Sequence, residues 1–103
     1  MKFEVAPQFK SDLRKLSAGE YGLFRKVAKD EFSPACDRYL KDPSRGWPSK
    51  LRVKHVVGTA AIFEMTWSFK GPDGRATFQW VTVASERRVL WRRIGGHEIF
   101  KKP

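Results

Sequence analysis

Residues 24–40, Phe24-Arg25-Lys26-Val27-Ala28-Lys29-Asp30-Glu31-Phe32-Ser33-Pro34-Ala35-Cys36-Asp37-Arg38-Tyr39-Leu40, decide the architecture. Apolar side chains recur at Phe24, Val27, Ala28, Phe32, Ala35, Cys36, Tyr39 and Leu40, the three-and-four spacing that puts one stripe on one face of an α-helix. Ser33-Pro34 falls inside the stripe, and proline there either kinks the helix or caps a second piece. Upstream, Phe9, Leu13 and Leu16 repeat the helical spacing until Ser17-Ala18-Gly19, so a short first helix and this longer one form an antiparallel hairpin. Phe3, Val5 and Pro7 precede it as a short extended segment. Cys36 sits on the stripe, which reads as a small buried side chain. Lys10, Arg14, Lys15, Arg25, Lys26 and Lys29 are mixed with Asp12, Glu20, Asp30 and Glu31 and read as solvated faces.

Beyond the loop-forming run from Lys41 to Pro48, the period changes from helical to alternating. Lys50 to Val57 places Leu51, Val53, His55 and Val57 on one face, with Arg52, Lys54 and Val56 on the other, so His55 reads as a core or edge histidine. Ile62 to Phe69 predicts a further strand, Lys70-Gly71-Pro72-Asp73-Gly74 a hairpin turn, and Arg75 to Val83 the return strand. A turn at Ser85-Glu86-Arg87 leads to a last strand, Arg88 to Ile94. The expected fold is α+β: an N-terminal helical hairpin packed on one face of a twisted, mainly antiparallel sheet of about four to five strands. Residues 1–103 read as one domain, long enough to close a single core.

The chain carries 21 Lys and Arg against 11 Asp and Glu, a formal charge of +10 that points to a polyanion or a tightly bound acidic protein as partner. With 41% hydrophobic residues it does not have the composition of a disordered chain. No run is long and apolar enough for a membrane span and no signal-peptide core follows Met1, so a cytoplasmic location is expected. One cysteine and two histidines form neither a disulfide nor a zinc cluster, so any catalysis is expected to need neither metal nor cofactor. Residues 51–103 hold ten Lys and Arg and only four acids, with nine of the ten cations at Arg52 and Lys54, Arg75, Arg87-Arg88, Arg92-Arg93 and Lys101-Lys102. Among them, Arg92-Arg93-Ile94-Gly95-Gly96-His97-Glu98-Ile99-Phe100 combines guanidinium forks, a glycine pair and a histidine. Those groups can bind a phosphate and move a proton beside it, the alternative being an ordinary strand end with solvated arginines and a surface histidine. Trp47, Trp67, Trp80 and Trp91 read mostly as core, with base stacking the alternative.

The element order and certain residues together resemble the RelE/ParE superfamily of bacterial type II toxins. The resemblance rests on Leu51-Arg52-Val53-Lys54 running through Gly58-Thr59 to Ile62-Phe63-Glu64-Met65. It continues in Asp73-Gly74-Arg75-Ala76-Thr77-Phe78 and closes on Arg93-Ile94-Gly95-Gly96-His97-Glu98-Ile99-Phe100. It implies a RelE-like fold and, in the nuclease branch, metal-free cleavage of mRNA in the ribosomal A site, silenced by a cognate antitoxin that wraps the toxin. By the same resemblance, Arg75 matches the arginine that contacts the scissile phosphate, His97 the histidine that YafQ-like members use in proton transfer, and Phe100 the aromatic that closes the site. Where RelE itself has a pair of lysines on the central strand, this sequence carries Glu64 and Thr66, so either Arg52, Lys54 and Arg93 supply the charge from neighbouring strands, or catalysis leans on His97, or activity is weak.

The chemistry so implied is attack of a ribose 2′-hydroxyl on the adjacent phosphate. His97 serves as acid or base, Arg75 and Arg93 hold the non-bridging oxygens, and Arg52, Lys54, Arg92 and Phe100 position the RNA; Glu64 either orients His97, is a second proton acceptor or is a salt-bridge partner of the arginines. Two other readings share the same fold and charge: a ParE-like, non-enzymatic inhibitor of DNA gyrase, and a catalytically silent nucleic-acid-binding relative.

Overall fold

The computed structural model describes residues 1–68 and 73–103. The order is β1 (Phe3–Val5), α1 (Pro7–Leu13), α2 (Ala18–Val27), a π-helical turn (Ala28–Phe32), α3 (Ser33–Lys41), β2 (Lys54–His55), β3 (Phe63–Ser68), β4 (Gly74–Val83) and β5 (Glu86–Gly95). Short 3₁₀ segments cover Pro43–Arg45, Ser49–Leu51 and His97–Lys101. The five strands form one sheet in the order β1-β5-β4-β3-β2, antiparallel throughout except that β1 runs parallel to β5. The N-terminal helices pack on one face of this mixed, mostly antiparallel sheet, as expected of an α+β chain.

Several local expectations shift. The first helix stops at Leu13, before Leu16, because Ser17 opens the next one: its hydroxyl accepts from the Glu20 amide at 3.1 Å while the Glu20 carboxylate accepts from the Ser17 amide at 2.8 Å. From Ala18 to Lys41 the helical path is continuous over 24 residues, and Ser33-Pro34 neither breaks nor caps it. Proline has no N–H to give, and the chain widens by one residue per turn ahead of it, the Ser33 amide reaching back five residues to Ala28.

The strand expected over Lys50–Val57 shrinks to Lys54–His55. Arg52 adopts the left-handed region at φ 48°, which resets the alternation: Leu51 and Val56 are buried, whereas His55 is exposed and Val57 is 96% exposed. His55 therefore lies on the surface, tilted against Phe63 at 4.2 Å. Of the turn expected at 70–74, residues 70–72 lie outside the described residues, as does Phe69 at the end of the preceding strand. The last turn falls one residue early, on Ala84 and Ser85, and Glu86 already pairs with Val83.

The core is an aromatic stack between helices and sheet. Phe9, Phe24, Phe32, Phe78, Trp67 and Trp91 are all buried, and Trp91 meets Phe24 at 5.2 Å and Phe32 at 5.0 Å. Trp67 and Trp91 are thus core residues. Trp47 and Trp80 are half-buried, and both stack with Tyr39. Gly74 is required by contact, since a Cβ there would lie 2.5 Å from the Trp67 ring. Cys36 is fully buried, and burial pushes its thiol well above the ordinary range. No helix among the described residues is long and apolar enough to cross a membrane.

The β4–β5 turn has positive φ at both Ala84 (51°) and Ser85 (67°), a conformation that asparagine and glycine adopt with less strain. Ala84→Asn with Ser85→Gly is expected to raise unfolding stability by about 1 kcal/mol in urea titrations. Gly74→Ala is expected to lower it by about 1–3 kcal/mol by driving a methyl group into Trp67.

Candidate functional site

The sheet face turned away from the helices carries the polar residues singled out in the sequence. Across β3, β4 and β5, Glu64 stands beside Thr77 and Thr77 beside Arg93; in the next row Thr66 stands beside Arg75 and Arg75 beside Gly95. The intervening row, Met65, Ala76 and Ile94, is buried in the helix-side core. A bulge on β5 helps: Phe78 pairs with Trp91 and Thr77 with Arg93, so Arg92 is the extra residue. Trp91 and Ile94 can then both enter the core while Arg92 and Arg93 both serve the opposite face. Three of the four expected catalytic residues, Glu64, Arg75 and Arg93, therefore share one face within two rows.

Arg75 is 9% exposed. Its Nη1 donates to Thr66 Oγ1 at 2.6 Å and to Asp73 Oδ2 at 3.3 Å, and its Nε stands 3.9 Å from a carboxylate oxygen of Glu64, itself buried. That Nε has no hydrogen-bond partner among the described residues. Asp73 also accepts from Arg52 Nη1 at 3.1 Å, so Arg52, expected to be a free RNA contact, is tied to the same acid. Lys54 is exposed at the outer edge, paired in register with Glu64.

Arg93 is held from outside the sheet. Asp12 on α1 accepts from Arg93 Nε at 2.7 Å and Nη2 at 3.2 Å, from the Ile94 amide at 3.1 Å and from Gln8 at 3.3 Å. Asp12 is 3% exposed, so its reading as part of a solvated helix face is corrected here. The signal was present: Asp12 lies three residues after Phe9 and four before Leu16, on the apolar stripe, where a carboxylate must find partners. Burial alone would raise its pKa, but Arg93, the Ile94 amide and Gln8 outweigh it and hold the carboxyl below its ordinary 3.8. The same bond raises Arg93 above its usual value.

The C-terminal residues fold back over this face. Thr77 Oγ1 at 3.0 Å and Arg92 Nε at 3.1 Å both donate to the Pro103 carbonyl, Arg93 Nη1 donates to the Lys102 carbonyl at 2.9 Å, and Arg92 Nη1 donates to Gln79 at 2.5 Å. Ile99 is buried beneath this segment, while His97 is exposed at its start with its ring edge-on to the half-buried Phe100 at 5.6 Å. Glu98 curls over the glycine pair: its carboxylate accepts from the Gly96 amide at 3.0 Å, and a Cβ on Gly95 would meet it at 2.6 Å. That amide, together with the Glu98 amide, holds the Glu98 carboxyl below its ordinary range. Beside it opens a cleft of about 270 Å³ lined by Asp12, Lys15, Asp73, Arg93, Gly96 and Glu98.

Of the remaining basic residues, Arg88 is bound between Glu4 at 2.8 Å and Glu86 at 3.0 Å, and Arg87 lies over Trp80 at 5.2 Å. No family model, curated protein or solved structure matches the chain.

Asp12→Asn leaves Arg93 and the Ile94 amide without their charged partner and is expected to cost about 3 kcal/mol in denaturant unfolding. Because the folded pKa of Asp12 lies below its unfolded value, its contribution is complete above pH 3.8 and disappears as pH falls through the folded value. Wild-type stability is therefore expected to drop more steeply than that of Asp12→Asn on acidification below pH 3.8.

Proposed function

We propose that the chain is a toxin of the RelE/ParE type that cleaves mRNA without a metal or cofactor, acts in the cytoplasm on ribosome-associated transcripts, and is held silent by a cognate antitoxin. In this reading the helices-on-sheet architecture is the RelE-like one, and the basic charge serves the RNA backbone and an acidic antitoxin segment. The observation that carries it is Arg75, a buried guanidinium whose Nε has no hydrogen-bond partner among the described residues, one sheet row from Arg93 and opposite the strand that runs into Gly95, Gly96 and His97.

The 2′-hydroxyl oxygen attacks phosphorus, the bond from phosphorus to the 5′ oxygen breaks, and a 2′,3′-cyclic phosphate and a free 5′-hydroxyl result. His97, exposed and beside Phe100, exchanges the proton with the reacting oxygens, while Arg75 compensates charge on the pentacoordinate phosphate. Arg92 and Arg93 face the phosphate backbone once the carbonyls of Lys102 and Pro103 give them up. Glu64, buried with a carboxylate oxygen 3.9 Å from Arg75 Nε, neutralises that guanidinium. Lys54 and Arg52 flank the strand edge as backbone contacts.

One observation favours the non-enzymatic, gyrase-binding reading: Arg92 and Arg93 are already engaged by Gln79, Asp12 and the backbone carbonyls of residues 102–103. The two readings separate on expression in bacteria. The nuclease stops translation and leaves new transcript 5′ ends by primer extension, whereas the gyrase inhibitor leaves mRNA intact and accumulates gyrase–DNA complexes. His97→Ala and His97→Gln are expected to lower cleavage by about a hundredfold or more with folding unchanged. Full cleavage by both variants would remove proton transfer from His97.

A further inference from the structure

The segment after β5 is held in two different ways. Its first part is anchored in the fold: Ile99 is buried, its amide donates to the Gly96 carbonyl, and the Lys102 amide donates to the Ile99 carbonyl, both at 3.3 Å. Its last part lies on the sheet through main-chain oxygens alone among the described hydrogen bonds. Thr77 Oγ1 on β4 and Arg92 Nε on β5 reach the Pro103 carbonyl at 3.0 and 3.1 Å, and Arg93 Nη1 reaches the Lys102 carbonyl at 2.9 Å. Lys101 and Lys102 are exposed and Pro103 is only half-buried, so little apolar packing holds residues 101–103 down.

The donors under these carbonyls suit an anion better than a neutral amide. Two guanidinium groups and a hydroxyl converge from neighbouring strands, and guanidinium bonds to ionised oxygens are roughly twice as strong as bonds to uncharged ones. The donors are also held in place without the carbonyls. Arg92 Nη1 is fixed on Gln79, Arg93 Nε and Nη2 are fixed on Asp12, and the β5 bulge keeps both arginines on this face. Thr77 is fully buried although it stands on the side that the helices leave bare, with its hydroxyl given to residue 103 and Arg75 one position pair along the strand. Residues 101–103 therefore sit on this face as a ligand sits in a site, with carbonyls inward and lysines outward.

We propose, building on the reading of this face as an RNA site, that residues 101–103 are an autoinhibitory strap. When closed, the carbonyls of Lys102 and Pro103 occupy the places at which phosphate oxygens of a single-stranded RNA meet Thr77, Arg92 and Arg93. RNA binding swings the strap outward about Phe100 while Ile99 stays buried, and the phosphates replace uncharged acceptors with charged ones. The chain binds RNA only in the fraction of time that the strap is open, and a strap open one-tenth of the time weakens apparent affinity about tenfold.

The probe is a single-stranded oligonucleotide of about ten residues with 2′-O-methyl ribose, which has no free 2′-hydroxyl to attack phosphorus and so reports binding without cleavage. Fluorescence anisotropy compares the full chain, a chain ending at Phe100, and a full chain with Gly-Gly inserted between Lys101 and Lys102. The insertion keeps both lysines but takes the carbonyls out of register. It is expected to bind about tenfold more tightly than wild type with Tm nearly unchanged. The shortened chain is expected to gain less, because it also loses two cations. In wild type, nuclear Overhauser contacts between Pro103 and Thr77 are expected in the free chain and lost at saturation. Equal affinity of wild type and the Gly-Gly variant, or contacts that persist in the complex, overturns the strap and leaves the nuclease reading standing. Tighter binding by the variant, with no cutting of unmodified RNA on ribosomes, supports the strap and overturns the nuclease reading. Absence of binding by all three chains overturns both.

Discussion

The contact between Asp12 and β5 is the constraint on which the rest of the structure depends. β1 is only three residues long and covers β5 from Val89 to Trp91, so beyond Trp91 the edge of β5 would be left open. The Asp12 carboxylate takes the place of a neighbouring strand there: it accepts the Ile94 amide and, with its other lone pairs, the Arg93 fork. One buried group thereby closes the sheet edge, fixes α1 against β5 and aligns the strand end that leads into Gly95 and Gly96. A buried carboxylate is costly to desolvate, and here the cost is offset by four donors.

This arrangement shapes the candidate site in two ways. It holds Arg93 in place, so the guanidinium is pre-oriented but engaged. It also works with the β5 bulge at Arg92, which turns two successive arginines onto one face while Trp91 and Ile94 remain in the core. The result is a polar sheet face whose cations are matched by Asp12, Glu64, Asp73 and the carbonyls of Lys102 and Pro103, with Arg75 Nε left without a hydrogen-bond partner among the described residues. A phosphate entering this face would exchange with carbonyl and carboxylate partners already present.

Much of the fold was legible in the residues because the period changes so sharply between Leu40 and Phe63: three-and-four spacing in the first half, alternation in the second. Strand β4 followed from that pattern, and the core places of Trp67 and Trp91 agree with the reading of most of the tryptophans as core, although alternation did not single those two out. What alternation did not reveal were the places where a single backbone state resets it: Arg52 in the left-handed region, the extra residue at Arg92, and the five-residue reach to Ala28 that lets the helix pass Pro34. The candidate site was legible in part. Glu64, Arg75 and Arg93 do meet on one face, but Arg93 is held there by the long-range partner Asp12 and by the carbonyl of Lys102, and no local spacing encodes either. Asp12 was the one recoverable signal, a carboxylate on an apolar helical stripe.

The most direct test of the functional account is the chemistry of the cut ends. The purified chain is incubated with mRNA on translating ribosomes in excess chelator, and the RNA termini are analysed by mass spectrometry. The account expects 2′,3′-cyclic phosphate and 5′-hydroxyl ends to appear despite the chelator. Intact RNA, or ends bearing a 5′-phosphate, would contradict it.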